Sequence, residues 1–385
     1  MKRIILISSR VLCVFVLCVG MVSCTRNLSF VESANCYIVT KGGTYKFKTV
    51  KGNSSASVGV VAEANVLWES FGAENTPNKG DLIRSVTHKG EYVIFETADT
   101  YREGNAVIAV KDAEGNILWS WHIWMTDQPQ GQVYFNNAGT MMDRNLGATS
   151  ASPGAIYAYG LLYQWGRKDP FPGGLPKDYC GSWGMEVETI GDTFSFVKSD
   201  IVTGTIAYAT AHPMTYIGSR DFRSLDWYYT GTRNTMDNRW TTSGEKKSVY
   251  DPCPAGWRVP DGGENGVWSK ALGSMGSFAQ SSLYDSANAA GTSSSFSSLG
   301  LWNDTNKGVN FSGKFGGDET IWYPASGYRD GSYGSLRSVG SDGSYWSASP
   351  SSDGAYSLDF SYGGYVSPSS SNDRAYGLSV RCIKE

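Results

Sequence analysis

The sequence predicts a mainly β protein, and three observations lead to that prediction. Glycine is frequent, at 46 of 385 residues, which is about 12% against an ordinary value of roughly 7%. Aromatic residues make up 13% of the chain, with 23 tyrosines and 13 tryptophans, and such side chains favour strands. Short β-patterned runs follow one another from residue 30 onwards, whereas helical patterns are scarce.

The first 23 residues are typical of a bacterial signal peptide. They contain three cations and no acid, and Val11–Val22 is apolar but too short to span a bilayer, which needs about 20 residues. The stretch ends in Met21-Val22-Ser23-Cys24, which resembles a bacterial lipobox. That resemblance implies that Cys24 carries the lipid anchor, followed by a tether over 24–29. An ordinary signal peptide that happens to contain a cysteine is the alternative.

The charge balance and the scarcity of histidine exclude several classes of function. After residue 23 the chain has 30 cations against 36 acids, which argues against nucleic-acid binding. Three histidines are too few for most histidine-based metal or acid–base sites, and neither GxSxG nor HExxH occurs. We therefore expect no catalytic residue, no metal and no cofactor.

Seven β-patterned runs between residues 30 and 126 predict a β-sandwich of immunoglobulin-like size. A hairpin loop at Asp112–Asn116 joins the last two runs. The runs are 37–40, 44–50, 65–69, 81–86, 91–96, 105–111 and 116–124.

The last of these runs is rich in tryptophan, and its alternation separates two faces. Trp119, Trp121 and Ile123 share one face, which favours core packing over an aromatic binding surface. His122 has the opposite parity, so we expect it in solvent.

A linker over 127–132 separates this module from a second one, which covers 133–385. Its best helical pattern is 266–273, just after a proline and an acid that suit a helix start. Asp-Gly pairs at Asp330, Asp342 and Asp353 predict three successive tight turns.

Five motifs of the second module occur in a fixed order that resembles a known family. They are Met142-Asp-Arg-Asn-Leu-Gly-Ala148, Tyr163-Gln-Trp-Gly-Arg-Lys-Asp-Pro170, Asp251-Pro-Cys-Pro-Ala-Gly-Trp-Arg-Val-Pro260, Tyr345-Trp-Ser-Ala-Ser349 and Ser379-Val-Arg-Cys382. Together they resemble the Fibrobacter succinogenes major paralogous domain, found in fimbrillin-family surface lipoproteins of Bacteroidales. By their chemistry alone, the motif residues are expected to stabilise the fold. The guanidinium groups of Arg258 and Arg381 can donate several hydrogen bonds and so connect strand ends to carbonyl or carboxylate groups.

The resemblance implies a C-type-lectin-like α+β module with long loops behind the sandwich. It also implies a non-enzymatic lipoprotein of the outer membrane, exposed on the cell surface or on fimbriae. Such a protein acts in adhesion, as a fimbrial tip or accessory subunit, and its partners are fimbrial subunits and host or microbial glycans or proteins. One alternative is glycan capture for nutrient uptake. Another is an enzyme on the related formylglycine-generating scaffold, for which only Cys253 and Cys382 could serve.

Four cysteines remain after the signal peptide and the lipid site. They are Cys36, Cys180, Cys253 and Cys382; spacing alone leaves three pairings open, and four free thiols as well. In lectin-like folds the last strand returns beside the early elements of the domain, so the resemblance implies a Cys253–Cys382 disulfide.

A ligand surface is expected on the turn-rich stretch from Tyr328 to Tyr365. Aromatic rings for the apolar side of a sugar and carboxylates for its hydroxyls occur there together. The alternative is that Trp346 and alternate tyrosines fill the core while the Asp-Gly pairs close hairpins. The candidate ligand contacts are Asp330, Tyr333, Asp342, Tyr345 and Trp346.

Overall fold

A computed structural model of the chain supports the mainly β prediction. It forms 27 strands and two short α-helices among the residues that it describes. The predicted signal peptide, Cys24, Cys180 and Asp353 lie outside the described residues. The described residues are 28–176, 185–220, 225–229, 237–241, 246–273, 301–352, 354–362 and 365–385.

The first module contains all seven strands that the sequence predicts. Its hairpin loop also forms as expected, because the Asp112 carboxylate accepts hydrogen bonds from the backbone N–H groups of Glu114 and Asn116. The strands are β1 (Leu28–Ser29), β2 (Cys36–Val39), β3 (Thr44–Lys48), β4 (Glu63–Ser70), β5 (Ile83–Lys89), β6 (Tyr92–Thr97), β7 (Gly104–Lys111) and β8 (Ile117–Met125).

The second module has many short strands and few helical segments. The predicted helix at 266–273 forms as α2 (Val267–Leu272), after α1 (Ile206–Ala211) and a 3-10 turn (Ile156–Ala158). The strands are β9 (Gly131–Tyr134), β10 (Gly139–Met142), β11 (Leu162–Gln164), β12 (Gly174–Leu175), β13 (Met185–Glu186), β14 (Ile190–Gly191), β15 (Ser195–Lys198), β16 (Thr215–Gly218), β17 (Trp257–Arg258), β18 (Trp302–Asn303), β19 (Gly308–Asn310), β20 (Trp322–Pro324), β21 (Tyr328–Arg329), β22 (Leu336–Arg337), β23 (Asp342–Pro350), β24 (Ala355–Ser361), β25 (Val366–Asn372), β26 (Gly377–Ser379) and β27 (Ile383–Lys384).

Two sheets share one core in the first module. Their strand orders are β1-β3-β6-β5 and β14-β4-β7-β8-β2. The alternation in β3 places Tyr45 and Phe47 in this core, where the Phe47 ring lies 4.9 Å from that of Trp121. Trp119 and Ile123 are buried in the same cluster, which confirms that this face of β8 is core.

The opposite face of β8 is also buried, so the expectation for His122 is wrong. Only 2% of His122 is exposed, because the second module covers this face of the sheet. Its Nε2 lies 2.9 Å from Oδ1 of Asn105, whose Nδ2 donates to the Gly147 carbonyl; Nε2 is therefore the protonated nitrogen. Burial lowers the pKa of His122 to about 3.

The two modules share a core and a sheet. Trp68 and Trp124 of the first module belong to the same buried cluster as Tyr163 and Trp165 of the second. Strand β14, which belongs to the second module, pairs antiparallel with β4 of the first. The predicted linker, 127–132, overlaps strand β9, and it does not separate two independent cores.

The largest sheet of the second module has the order β22-β21-β26-β23-β24-β25, with β11 also paired to β26. Strand β23 lies inside it and is covered on both faces. Tyr345 packs into one buried cluster and Trp346 into another. Because successive side chains of a strand point to opposite faces, this strand connects the two cores.

The three Asp-Gly pairs differ from one another: Asp330-Gly331 lies in the turn that joins β21 and β22, Asp342-Gly343 does not form the predicted turn, and Asp353 lies outside the described residues. Gly343 lies inside β23, and a Cβ at that position would stand 2.1 Å from the Phe360 ring, so glycine is required there by close packing. The positive φ angles around β21 and β22 occur at Gly327, Gly334, Ser338 and Gly340. None of these four residues follows an aspartate.

Candidate functional site

Tyr345 and Trp346 do not contact solvent, so their assignment to a ligand surface is wrong. Both side chains are 0% exposed. The Tyr345 hydroxyl donates to the Pro324 carbonyl, and the Trp346 indole N–H donates to the Tyr163 carbonyl at 2.8 Å. The alternative that these aromatic residues fill the core is the one that the structure supports.

Asp330 and Tyr333 lie together in the loop between β21 and β22. The Asp330 carboxylate accepts hydrogen bonds from the N–H groups of Ser332 and Tyr333, at 2.8 and 2.9 Å, so its role in this loop is to hold the backbone. The Tyr333 ring is 70% exposed and lies 5.1 Å from the Lys198 ammonium. Neither residue lines the pocket to which Asp342 belongs.

Asp342 differs from the other candidates, because it lines a pocket of about 250 Å³ where the start of β23 meets the end of β24 in the largest sheet. The pocket combines carboxylates, an amide, hydroxyls and tyrosine rings. Its lining residues are Tyr328, Asp342, Ser344, Asp359, Phe360, Ser361, Tyr365, Asn372, Tyr376 and Leu378.

The pairing of β23 with β24 positions the polar groups of this pocket. Asp342 lies opposite Ser361, and Ser344 lies opposite Asp359. Alternation places these four side chains on one face of the sheet, whereas Phe360, between Asp359 and Ser361, belongs to the buried cluster on the other face. A polar patch therefore forms on the exposed end of a sheet that is buried elsewhere.

Strand β25 supplies the amide group of the site. Asn372 Nδ2 donates to the Asp359 carboxylate at 2.9 Å and to the Ser357 hydroxyl at 2.8 Å. The amide thus fixes the Asp359 side chain in the floor of the pocket. Such support by neighbouring groups keeps a binding group in one geometry before the ligand arrives.

Tyrosine rings form the wall opposite β24. Tyr328 and Tyr376 make an edge-to-face pair with ring centroids 5.4 Å apart. Burial raises the pKa of Tyr376 to about 12, and burial with the nearby Asp342 raises the pKa of Tyr328. Both phenols are therefore neutral at neutral pH and offer hydroxyl groups as donors.

The pocket has two carboxylates and no basic side chain among the described residues that line it. Burial raises the pKa of Asp342, and a hydrogen bond from Ser338 opposes this shift. Burial also raises the pKa of Asp359, against hydrogen bonds from Ser370, Asn372 and other neutral donors. The described groups that donate hydrogen bonds to the two carboxylates are thus neutral.

Sequence reasoning missed most of the pocket. Asp359, Asn372 and Tyr376 were not singled out, because strand pairing between distant segments brings them beside Asp342. One local signal exists: Ser357, Asp359 and Ser361 alternate with apolar residues in β24, which indicates a strand with one polar face.

The predicted cysteine pair is present. Cys253 and Cys382 form a disulfide, with Cα atoms 6.1 Å apart, and both residues are fully buried. Cys36 is buried with a free thiol. Beside the disulfide, the Asp251 carboxylate accepts from the N–H groups of Cys253 and Val259.

The other motif residues contact the framework, as their chemistry predicts. Arg381 donates to the Trp322 carbonyl at 2.7 Å, and Arg258 donates to the Asp261 carboxylate at 2.6 Å. The Trp165 indole N–H donates to the Ser347 carbonyl. These contacts join separate motifs into one structure and leave no motif side chain in the pocket.

A wider cleft of about 920 Å³ lies between the modules. Several of its charged side chains are bound to other groups of the protein and are not directed at a common ligand position. The cleft is lined by charged groups of both signs. Lys48 pairs with Glu91 at 3.5 Å, and the Lys247 ammonium is bound by three backbone carbonyls, including that of Cys253. The cleft therefore ranks behind the pocket as a ligand site.

Two further properties concern the described part of the chain as a whole. Its residues bring together no group of three or more His, Cys, Asp or Glu side chains that could hold a metal ion. None of its helices has the length and apolar character of a membrane-spanning segment.

The chain was compared with family models, curated proteins and solved structures. No family model, no curated protein and no solved structure matches the chain.

Proposed function

We propose that the protein is a cell-surface lipoprotein that acts by binding carbohydrate in the pocket of Asp342, Asp359 and Asn372. The observation that carries this proposal is the combination of groups in that pocket. Carboxylate and amide groups bind sugar hydroxyls, and tyrosine rings cover the apolar faces of a sugar ring. The volume of about 250 Å³ suits a single small unit of a larger ligand.

The proposed biological role is adhesion, as a tip or accessory protein associated with fimbriae. The five ordered motifs that resemble the Fibrobacter succinogenes major paralogous domain support this role, together with the lipobox-like sequence at Cys24. With them we propose an immunoglobulin-like first module and a C-type-lectin-like second module. The two-sheet arrangement and the mainly β character are consistent with both.

The cysteine geometry favours a binding role over catalysis on a formylglycine-generating scaffold. That chemistry requires a reactive cysteine pair, for which Cys253 and Cys382 are the candidates. Both are buried and bonded to each other, and both contact the framework of the second module. Reactive cysteines are instead partly exposed and close to positive charge.

A glycan array with the full chain, purified in detergent, tests the proposal. We expect binding to a limited set of glycans, which Asp342→Asn and Asn372→Ala weaken by about tenfold or more. Asp330→Asn is the matched control, because Asp330 lies outside the pocket, and it should leave binding unchanged. Glycan binding that survives both pocket variants would place the ligand site elsewhere, and an array without any signal would overturn the proposed function.

A further inference from the structure

The charge of the pocket points to the kind of sugar that it takes. Its wall contains Asp342 and Asp359, and none of its described lining residues is a lysine or arginine. An anionic ligand, such as a uronate or a sulfated sugar, would meet two carboxylates without a compensating cation.

The hydrogen-bond partners of the two carboxylates among the described residues are all neutral. Asp359 accepts from the Asn372 amide at 2.9 Å and from serine hydroxyls, all of them neutral. Asp342 has a hydrogen bond from Ser338, which is also neutral. Half-buried carboxylates are usually compensated by a basic group, and here a ligand can provide it.

The aromatic wall is suited to a cation as well. Tyr328, Tyr365 and Tyr376 line the same pocket as the carboxylates. Tyrosine faces attract ammonium groups through the ring quadrupole, most strongly where water is excluded. Rings and carboxylates together therefore favour an ammonium group over a neutral substituent of the same size.

We infer that the pocket selects a sugar with a free, protonated amine, such as a glucosamine unit without its acetyl group. This inference rests on the proposed carbohydrate-binding function. The ammonium group lies between Asp342 and Asp359. The hydroxyl groups of the sugar bind Ser344, Ser361 and the tyrosine hydroxyls.

A lysine side chain offers the same ammonium group, but the pocket favours the sugar. Two serine hydroxyls and the Asn372 amide lie around the carboxylates. The hydroxyl groups of a sugar can form hydrogen bonds with these groups, whereas the methylene chain of lysine cannot. Polar groups that a ligand leaves unpaired reduce its affinity. The test therefore includes a lysine-containing peptide as the competing ligand.

Calorimetric titration of the full chain in detergent tests the inference. The probes are glucosamine, glucose, N-acetylglucosamine, glucuronate and a lysine-containing tripeptide. We expect glucosamine to bind at least about tenfold more tightly than each of the others. Asp342→Asn and, separately, Asp359→Asn should remove this preference, so that the affinities for glucosamine and glucose come within about threefold of each other. Asp330→Asn should change neither.

Each other result has a definite meaning. Equal binding of glucose and glucosamine, or tighter binding of glucuronate, overturns the amine inference and leaves the carbohydrate-binding function in place. Binding of the tripeptide without binding of any sugar overturns both. A glucosamine preference that persists in both Asn variants shows that these carboxylates do not recognise the amine. Thermal unfolding of each variant identifies any loss of binding that comes from misfolding.

Discussion

The side chain of Arg381, four residues from the last residue of the chain, donates to Oδ1 of Asn145 at 2.9 Å across 236 positions of sequence. The Asn145 amide donates in turn to the Tyr159 carbonyl at 3.0 Å. Both residues are buried, and the guanidinium lies 3.7 Å from the Tyr323 ring centroid. The first and the last motif of the second module are therefore joined by a buried charge and its acceptor.

Asn145→Ala should destabilise the protein strongly. The substitution removes an acceptor from a buried guanidinium, which costs about 2–3 kcal/mol in free energy of unfolding. Chemical denaturation measures the change. Gln128→Ala, on an exposed residue, is the control and should stay within about 0.5 kcal/mol of the parent. An equal effect of the two substitutions would contradict the structural role of Asn145.

The disulfide should stabilise the protein through the unfolded state. The bond joins residues 129 positions apart, and closing such a loop contributes about 5 kcal/mol in the entropic model. We expect the double variant Cys253→Ala with Cys382→Ala to unfold at a lower denaturant concentration than the oxidised parent. The parent in strong reductant should approach the double variant. Identical midpoints with and without reductant would show that the bond contributes little.

His122 should make stability depend on pH in the acidic range. Burial lowers its pKa from 6.5 to about 3 in the folded protein, so the unfolded chain binds the proton first. Its contribution is complete above pH 6.5 and is lost as the pH falls towards 3, at about 1 kcal/mol for each pH unit. Unfolding curves at pH 7 and pH 5 measure this slope.

His122→Gln should flatten that slope, because glutamine keeps an N–H donor for Asn105 and does not titrate in this range. His212→Gln is the matched control, since His212 lies on the surface, and it should keep the slope of the parent. If His122→Gln and the parent lose stability equally between pH 7 and pH 5, other groups cause the loss.

Cys24→Ser should release the protein from the membrane fraction or stop its processing. A thioether-linked lipid requires the cysteine sulfur, and serine cannot replace it. Fractionation and labelling with radioactive palmitate measure the result. Cys36→Ser is the control for cysteine loss and should stay in the membrane fraction. A Cys24→Ser protein that still incorporates palmitate would show that the anchor is attached elsewhere.

Local patterns predicted the strands of the first module well, because each strand there has one apolar face. Trp119, Trp121 and Ile123 follow the period-two rule, and their face is core. By the same rule His122 lies on the opposite face, which is usually exposed to solvent. His122 is buried nevertheless, because the second module covers that face. A single strand pattern shows which residues share a face, but not what covers that face.

The pocket was harder to predict, for a different physical reason. Tyr345 and Trp346 were plausible ligand contacts by residue type, yet β23 lies inside a sheet with a core on both sides. Asp359 and Asn372 reach Asp342 through the pairing of β23, β24 and β25. Strand pairing depends on the whole sheet, so residue type and spacing along the chain did not identify these partners.

The shared core has a practical consequence for truncation. A fragment that begins at residue 133 would lose β4, the strand that pairs with β14, and it would leave the buried cluster of Tyr163 and Trp165 without its members Trp68 and Trp124. Large uncovered apolar surfaces promote aggregation. The smallest soluble fragment therefore has to keep β1 to β27 together, and we expect it to melt in one transition rather than two.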